Sequence, residues 1–125
     1  MTETAPQTIL DIPERVRTAV AASLDTKAEQ LVVRHLEAVT DFTDYFLFAS
    51  GTNERQVQAI ADAIEERLRA RGVRPLAIEG RAPAQWVLLD YGDFVVHVFL
   101  DEVRRHYGLE RLWRDAPDVT SEFLT

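Results

Sequence analysis

Two pairs of closely spaced aspartates come nearest to a catalytic motif in this chain. Asp41 and Asp44 lie in one polar stretch, and Asp90 and Asp93 flank the dipeptide Tyr91-Gly92. Paired carboxylates can hold the metal ions of phosphoryl-transfer enzymes. Asp90 and Asp93 fall on either side of a turn, however, and nothing supplies a convincing third ligand. Metal-dependent phosphoryl transfer therefore stays open as an alternative at this point, and no metal site is predicted.

Residues 50–53, which read SGTN ahead of a predicted helix, offer a second route to phosphate chemistry. The free N–H groups at the start of a helix can bind a phosphate. A single glycine falls far short of the P-loop pattern G-x-x-x-x-G-K-[ST]. The chain also has no cysteine, no H-x-x-x-H spacing and no G-x-S-x-G elbow. We expect a protein that is not an enzyme and that uses no cofactor.

The stretch WVLLDYGD at 86–93 has the composition of a protein-binding surface. Trp86, Leu88 and Asp90 alternate onto one face of a strand. Together with Tyr91 and Asp93 they combine large apolar anchors with charges that can set the register of a partner. A buried tryptophan beside two ordinary turn aspartates would give the same pattern. The residues alone leave both interpretations open.

The strand that follows, FVVHVFL at 94–100, is apolar on both faces apart from His97. This pattern is typical of a strand covered by layers on both sides. A chain of this size has few helices to cover two faces, so part of one face could stay open for a partner. A histidine on such a strand is usually a hydrogen-bonded residue of the core or its edge.

Composition predicts a single domain over 1–125 with an ordinary globular balance: 46% hydrophobic and 28% charged residues. The net charge of −7, from 21 acidic and 14 basic side chains, disfavours nucleic-acid binding and favours a basic partner. The same charge could simply keep the protein soluble. Neither a membrane span nor a signal peptide is indicated, so we expect a cytoplasmic protein without membrane contact.

Periodicity and capping residues predict the elements that position these side chains. Asp11 with Glu14 can cap a helix over 12–24, and Asn53 with Gln56 can cap a helix over 53–71 that ends at Gly72. Further helical residues follow from Glu102, and the tails 1–8 and 118–125 are expected to be flexible. The predicted strands are 31–36, 45–50, 75–78, 86–90 and 94–100.

These elements predict an α+β fold with a mixed sheet of about five strands and flanking helices. The unit 45–79 reads strand–helix–strand, which favours a right-handed crossover between parallel strands. The turn at Tyr91-Gly92 makes the last two strands antiparallel, and its glycine can supply a positive φ.

Three stretches of the chain resemble one known family, the ribosomal silencing factors, also called the RsfS or Iojap family. They are DFTDYFLFASGTNERQVQAIADAI (41–64), WVLLDYGDFVVHVF (86–99) and YGLERLWRDAP (107–117). With the dipeptide EG at 79–80 they make up about two-fifths of the chain, and they follow the order and spacing of the family. This combination is far more specific than any single motif above.

The resemblance implies a non-enzymatic translation repressor with a nucleotidyltransferase-like core in which the catalytic acids are not evident. A metal-dependent nucleotidyltransferase-like enzyme is the alternative function. Family members bind a large-subunit ribosomal protein, the fourteenth in the usual numbering, and block joining of the subunits when nutrients are short. They can also self-associate, so a homodimer is compatible with the resemblance. The family's binding surface matches this chain at six positions: Trp86, Leu88, Asp90, Tyr91, Asp93 and His97, the last at its edge. Arg34 and His35 depart from the family, which often has an acid in the first strand.

Overall fold

The computed structural model describes residues 10–124. Helices and strands follow each other in the order α1 (Ile12–Asp25), β1 (Glu29–His35), β2 (Tyr45–Gly51), α2 (Glu54–Ala70), β3 (Ala77–Glu79), β4 (Trp86–Asp90), β5 (Phe94–Leu100) and α3 (Asp101–Tyr107). Two short 3₁₀ segments, Leu109–Trp113 and Thr120–Phe123, complete the described part. No helix within residues 10–124 combines the length and the apolar character that crossing a bilayer requires.

The five strands form one mixed sheet, as predicted, and their order in it is β1-β2-β5-β4-β3. The pair β2–β5 is parallel, and the other three pairs are antiparallel. It follows that β2 and β3 run in the same direction, as expected for a strand–helix–strand unit. They are not neighbours, however, because the β4–β5 hairpin lies between them.

Both long helices begin at the capping residues that the sequence indicates. The Asp11 carboxylate accepts a hydrogen bond from the Glu14 N–H at 2.9 Å, and Asn53 accepts one from Gln56 N–H at 2.8 Å. Gly72, just beyond α2, has a φ of +84°, a conformation that favours glycine. Both helices lie within about one residue of their predicted bounds.

The two faces of the sheet are covered to different extents. Helices α1 and α2 pack over one face, where the apolar stripe Val57, Ile60, Ile64 and Leu68 of α2 is buried in the larger core cluster. The opposite face, here called the second face, carries a smaller cluster partly covered by α3 and the first 3₁₀ segment. Every residue of β5 from Phe94 to Phe99 is buried, so the sheet is covered on both sides at this strand.

The prediction of a flexible tail at 118–125 is wrong for the part that the structure describes. The Val119 N–H donates to the Val33 carbonyl at 2.9 Å, and the Val33 N–H donates to the Thr120 hydroxyl at 2.8 Å. Phe123 is 5% exposed and packs against the ring of Tyr45. The segment thereby covers the free edge of β1, which would otherwise expose unpaired backbone groups. The predicted tail 1–8 lies outside the described residues.

Candidate partner-binding surface

The alternation along β4 places three of the predicted site residues on the second face. Val87 and Leu89 are fully buried under the helices, whereas Trp86, Leu88 and Asp90 are half-buried. Across the β4–β5 pair, Trp86 lies opposite Phe99, Leu88 opposite His97, and Asp90 opposite Val95. Directly opposed residues share a face, so these six side chains form one contiguous patch.

Trp86 and His97 are joined by a hydrogen bond within this patch. The indole Nε1–H donates to the imidazole Nδ1 at 3.2 Å. The ring of His97 also stacks on Phe48 with centroids 5.3 Å apart, and it meets Phe46 edge-on at 4.7 Å. Burial in this apolar surrounding lowers the pKa of His97 to about 4, so the imidazole is neutral at pH 7.

A groove of about 420 Å³, here called the hairpin groove, opens beside this pair. Its floor and walls are largely apolar, and its two rims come from loops: Phe42 is 60% exposed and Leu76 is 75% exposed. The eight residues that line it are Phe42, Phe46, Leu76, Leu88, Asp90, Gly92, Val95 and His97. Sequence reasoning did not assign Phe42, Phe46, Leu76 or Val95 to the site.

Asp90 supplies a carboxylate to the hairpin groove. One of its oxygens accepts a hydrogen bond from the Gly92 N–H at 2.8 Å, which closes the turn locally. No cation within the described residues pairs with it, so its charge faces the groove uncompensated. Glu79 lies opposite Leu88 across the β3–β4 pair and is exposed on the same face. The hairpin groove is therefore apolar with one carboxylate in its lining, and Glu79 adds a second acidic group beyond Leu88 on the same face.

Tyr91, predicted to belong to the surface, lies on the other side of the sheet. It is 5% exposed and stacks on Phe94 with ring centroids 4.8 Å apart, within the core cluster under the helices. Burial raises the pKa of its hydroxyl, and the nearby Glu65 raises it further. Tyr91 follows Leu89 by two residues and therefore points to the same face of the sheet. Strand alternation thus explains why Tyr91 lies under the helices and not on the predicted surface.

Asp93 is also separated from the hairpin groove. Its side chain is 55% exposed, and its carboxylate lies 3.8 Å from the guanidinium of Arg15 on α1. An exposed ion pair of this length contributes little to stability. Asp93 thus sits at the end of the hairpin toward the helix layer, while Asp90 faces the second face.

Trp86 extends the apolar surface beyond the hairpin groove. Its indole lies 5.0 Å from the ring of Phe99 and 5.3 Å from the ring of the exposed Tyr107. The backbone of Gly80 approaches the Trp86 carbonyl so closely that an added Cβ would lie 2.0 Å from its oxygen. With a φ of +83° as well, Gly80 fixes how the chain enters β4.

The residues considered for phosphate chemistry are engaged in local contacts. The parallel β2–β5 pair brings residues 52–54 beside Asp101 and Glu102, which gives this end of the sheet an acidic border. The Thr52 N–H donates to the Gln56 side chain at 2.7 Å, so this amide is already satisfied. Asp101 pairs with Arg105. Within residues 10–124, no three or more histidine and carboxylate side chains come together in a group that could hold a metal ion.

Arg34 and His35, the departure from the family pattern, make contacts at the end of β1. Arg34 donates to the Ala116 carbonyl at 3.0 Å, and His35 stacks on Tyr45 with ring centroids 4.6 Å apart. Neither residue lines the hairpin groove. Their contacts support the packing of β1 against its neighbours and the C-terminal segment.

Comparisons with known proteins identify relatives of this chain. The family described as "Ribosomal silencing factor during starvation" matches residues 9–125. The "Ribosomal silencing factor RsfS" of Halalkalibacterium halodurans is 43% identical over 109 residues, which is 87% of this chain and 93% of that protein. The mouse "Mitochondrial assembly of ribosomal large subunit protein 1" is 36% identical over 75 residues, covering 58% of this chain and 33% of that protein.

A solved structure shows the same architecture. The crystal structure of a Chromobacterium violaceum protein superposes with a TM-score of 0.81 at 35% sequence identity. The match covers 83% of this chain and 87% of that one.

Proposed function

The chain belongs to the ribosomal silencing factor family, and on that premise we propose that it binds a basic protein of the large ribosomal subunit through its second face. The bound domain then sterically blocks association of the small subunit and represses translation when nutrients are short. The resemblance names the partner as the fourteenth large-subunit ribosomal protein. The observation that carries the proposal is the half-buried Trp86 beside an apolar hairpin groove, with the carboxylate of Asp90 in the groove and that of Glu79 on the same face.

The apolar character of this surface supports a protein partner. Phe42 and Leu76 expose most of their side chains on either side of the hairpin groove. Leu88 and Trp86 continue the apolar area along β4. Contiguous apolar patches rimmed by polar groups are typical of protein interaction sites, and tryptophan is enriched among the residues that dominate binding energy.

The charge of the surface supports a basic partner. Asp90 and Glu79 both lie on the second face, and the chain as a whole carries a net charge of −7. Acidic groups beside an apolar anchor attract a basic protein and set its register. The same charges repel RNA phosphates, so we expect contact with the ribosome to run through protein and not through sequence-specific recognition of RNA.

Steric exclusion is the mode of action that fits this arrangement. A rigid domain of 14.2 kDa placed on the joining surface of the large subunit occupies space that the small subunit needs. It needs neither nucleotide turnover nor a bound metal, and we propose that the protein acts in the cytoplasm without either. The name of the mouse relative, which refers to assembly of the mitochondrial large ribosomal subunit, supports an association with that subunit.

Binding to separated ribosomal subunits tests the proposal. Tagged protein is incubated with purified bacterial large or small subunits and sedimented through a sucrose cushion. We expect it to pellet with large subunits only, and Leu88→Asp to abolish pelleting. The control is Gln58→Asp, which adds the same carboxylate at an exposed position of α2 on the opposite side of the sheet. Equal recovery with both subunits, or equal loss in both variants, would contradict the proposal.

A further inference from the structure

His97 combines deep burial with a polar atom that has no partner within the protein. Its side chain is 4% exposed, and its Nε2 forms no hydrogen bond within residues 10–124. An indole nitrogen can only donate, so the bond from Trp86 requires Nδ1 to be the acceptor. In the neutral ring the proton then resides on Nε2. His97 therefore carries an N–H donor that has no acceptor among residues 10–124.

His97, whose Nε2 atom is itself shielded from solvent, contributes to the wall of the hairpin groove. His97 lines that groove together with the apolar side chains of Phe46, Leu88 and Val95, none of which carries an oxygen or nitrogen acceptor. Buried donors without an acceptor are rare in folded proteins because their desolvation is not offset. A ligand that supplies the missing acceptor is one explanation for such a group.

We propose that a bound partner opens the wall of the hairpin groove over His97 and inserts a carbonyl oxygen, which accepts a hydrogen bond from the Nε2–H. The inference rests on the proposed function and specifies the chemistry of the segment that docks there. His97 acts on the partner directly, and its bond to Trp86 fixes the tautomer that makes Nε2 the donor.

The surroundings of the donor define the inserted segment further. Asp90 lies diagonally across the β4–β5 pair from His97 and carries an uncompensated charge into the same groove. One short loop of a basic protein could supply both contacts: a backbone carbonyl oxygen that accepts from His97, and a neighbouring cationic side chain that pairs with Asp90. A phosphate would also accept from His97, but the Asp90 carboxylate repels it.

Two substitutions separate this role from a purely structural one. Asparagine carries its amide at the position of Nδ1 and keeps an acceptor for Trp86, but it places nothing at the position of Nε2. Glutamine reaches the position of Nε2 with an N–H₂ donor and gives up the contact with Trp86. If His97 binds the partner, His97→Gln retains binding and His97→Asn loses it. If His97 serves only to hold Trp86, the order is reversed.

Equilibrium binding to purified large ribosomal subunits provides the readout. We expect His97→Asn to weaken binding about tenfold, as expected for the loss of one hydrogen bond of ordinary net strength, and His97→Gln to stay within about threefold of wild type. Thermal unfolding of both variants reports whether the fold is kept. Equal affinities for the two variants, or a weaker His97→Gln, would overturn the inference. Failure of the wild-type protein itself to bind large subunits would overturn the proposed function as well.

A measurement on the wild-type protein keeps the test decisive if either variant unfolds. The protein is labelled with ¹⁵N in its histidines and titrated with the isolated fourteenth large-subunit ribosomal protein. We expect the Nε2–H proton of His97 to shift downfield and to exchange more slowly with water on binding. Complex formation without a change in that resonance would refute the inference, whatever the behaviour of the variants.

Discussion

Replacing Trp86 with alanine tests the binding surface at its centre. The substitution removes an indole that contacts Phe99 and Tyr107, and it takes away the donor to His97 Nδ1. Truncation of an interface hot spot costs about 2–4 kcal/mol of binding free energy. At about 1.4 kcal/mol per factor of ten, affinity for the large subunit should fall by about thirtyfold or more.

The same substitution should leave the fold intact. Removal of a fully buried tryptophan costs about 3–5 kcal/mol of unfolding free energy. Trp86 is only half-buried, so the cost should lie below that range. Trp86→Phe keeps an aromatic ring and should weaken binding less than Trp86→Ala.

The matched control is Leu24→Ala, because Leu24 is 45% exposed on α1, in the helix layer on the opposite side of the sheet. It removes a partly exposed apolar side chain and should not change binding. Affinities come from sedimentation with large subunits, and folding from thermal unfolding. A cooperatively folded Trp86→Ala protein that binds like wild type would refute the assignment of the surface.

Three further predictions follow from named contacts. Asp90→Asn should slow association with the large subunit and make the association rate less dependent on salt. Asp93→Asn should change neither property, because Asp93 lies toward the helix layer. Stopped-flow association rates at several ionic strengths measure both effects. His97 has a folded-state pKa of about 4, below the ordinary 6.5, so the unfolded state binds its proton first. The free energy of unfolding should therefore be independent of this group above pH 6.5 and should fall by about 3 kcal/mol as the pH approaches 4. Urea titrations should show that this contribution is lost in His97→Phe. Gly80→Ala should lower the melting temperature, since its Cβ would lie 2.0 Å from the Trp86 carbonyl oxygen; an unchanged melt would contradict this.

Strand alternation made part of the proposed binding surface predictable. The period of two along WVLLD is sufficient to place Trp86, Leu88 and Asp90 together on one face, and the structure has them there. The same period places Tyr91 with Leu89 under the helices. The family resemblance identifies positions in a motif but not the direction in which each side chain points. For that reason it grouped Tyr91 with the surface.

Contacts between distant segments were not predictable in this way. Phe42 and Leu76 form the rims of the hairpin groove from two loops that are far apart in sequence. The bond between Trp86 and His97 depends on the register of β4 against β5, which the turn length alone did not fix. The C-terminal segment lacks helical periodicity, and its order comes from hydrogen bonds to the edge of β1, which only the sheet order reveals.

The most direct test of steric exclusion is the joining of ribosomal subunits in the presence of the protein. Large subunits are preincubated with wild-type protein or with Trp86→Ala and mixed with small subunits, and joined particles are quantified by light scattering and gradient sedimentation. Wild-type protein should lower the yield of joined particles without added nucleotide, sediment only with free large subunits, and be absent from joined particles. Trp86→Ala at the same concentration should leave the yield near that of untreated subunits. Wild-type protein recovered on joined particles, or inhibition that requires ATP or GTP hydrolysis, would contradict the account.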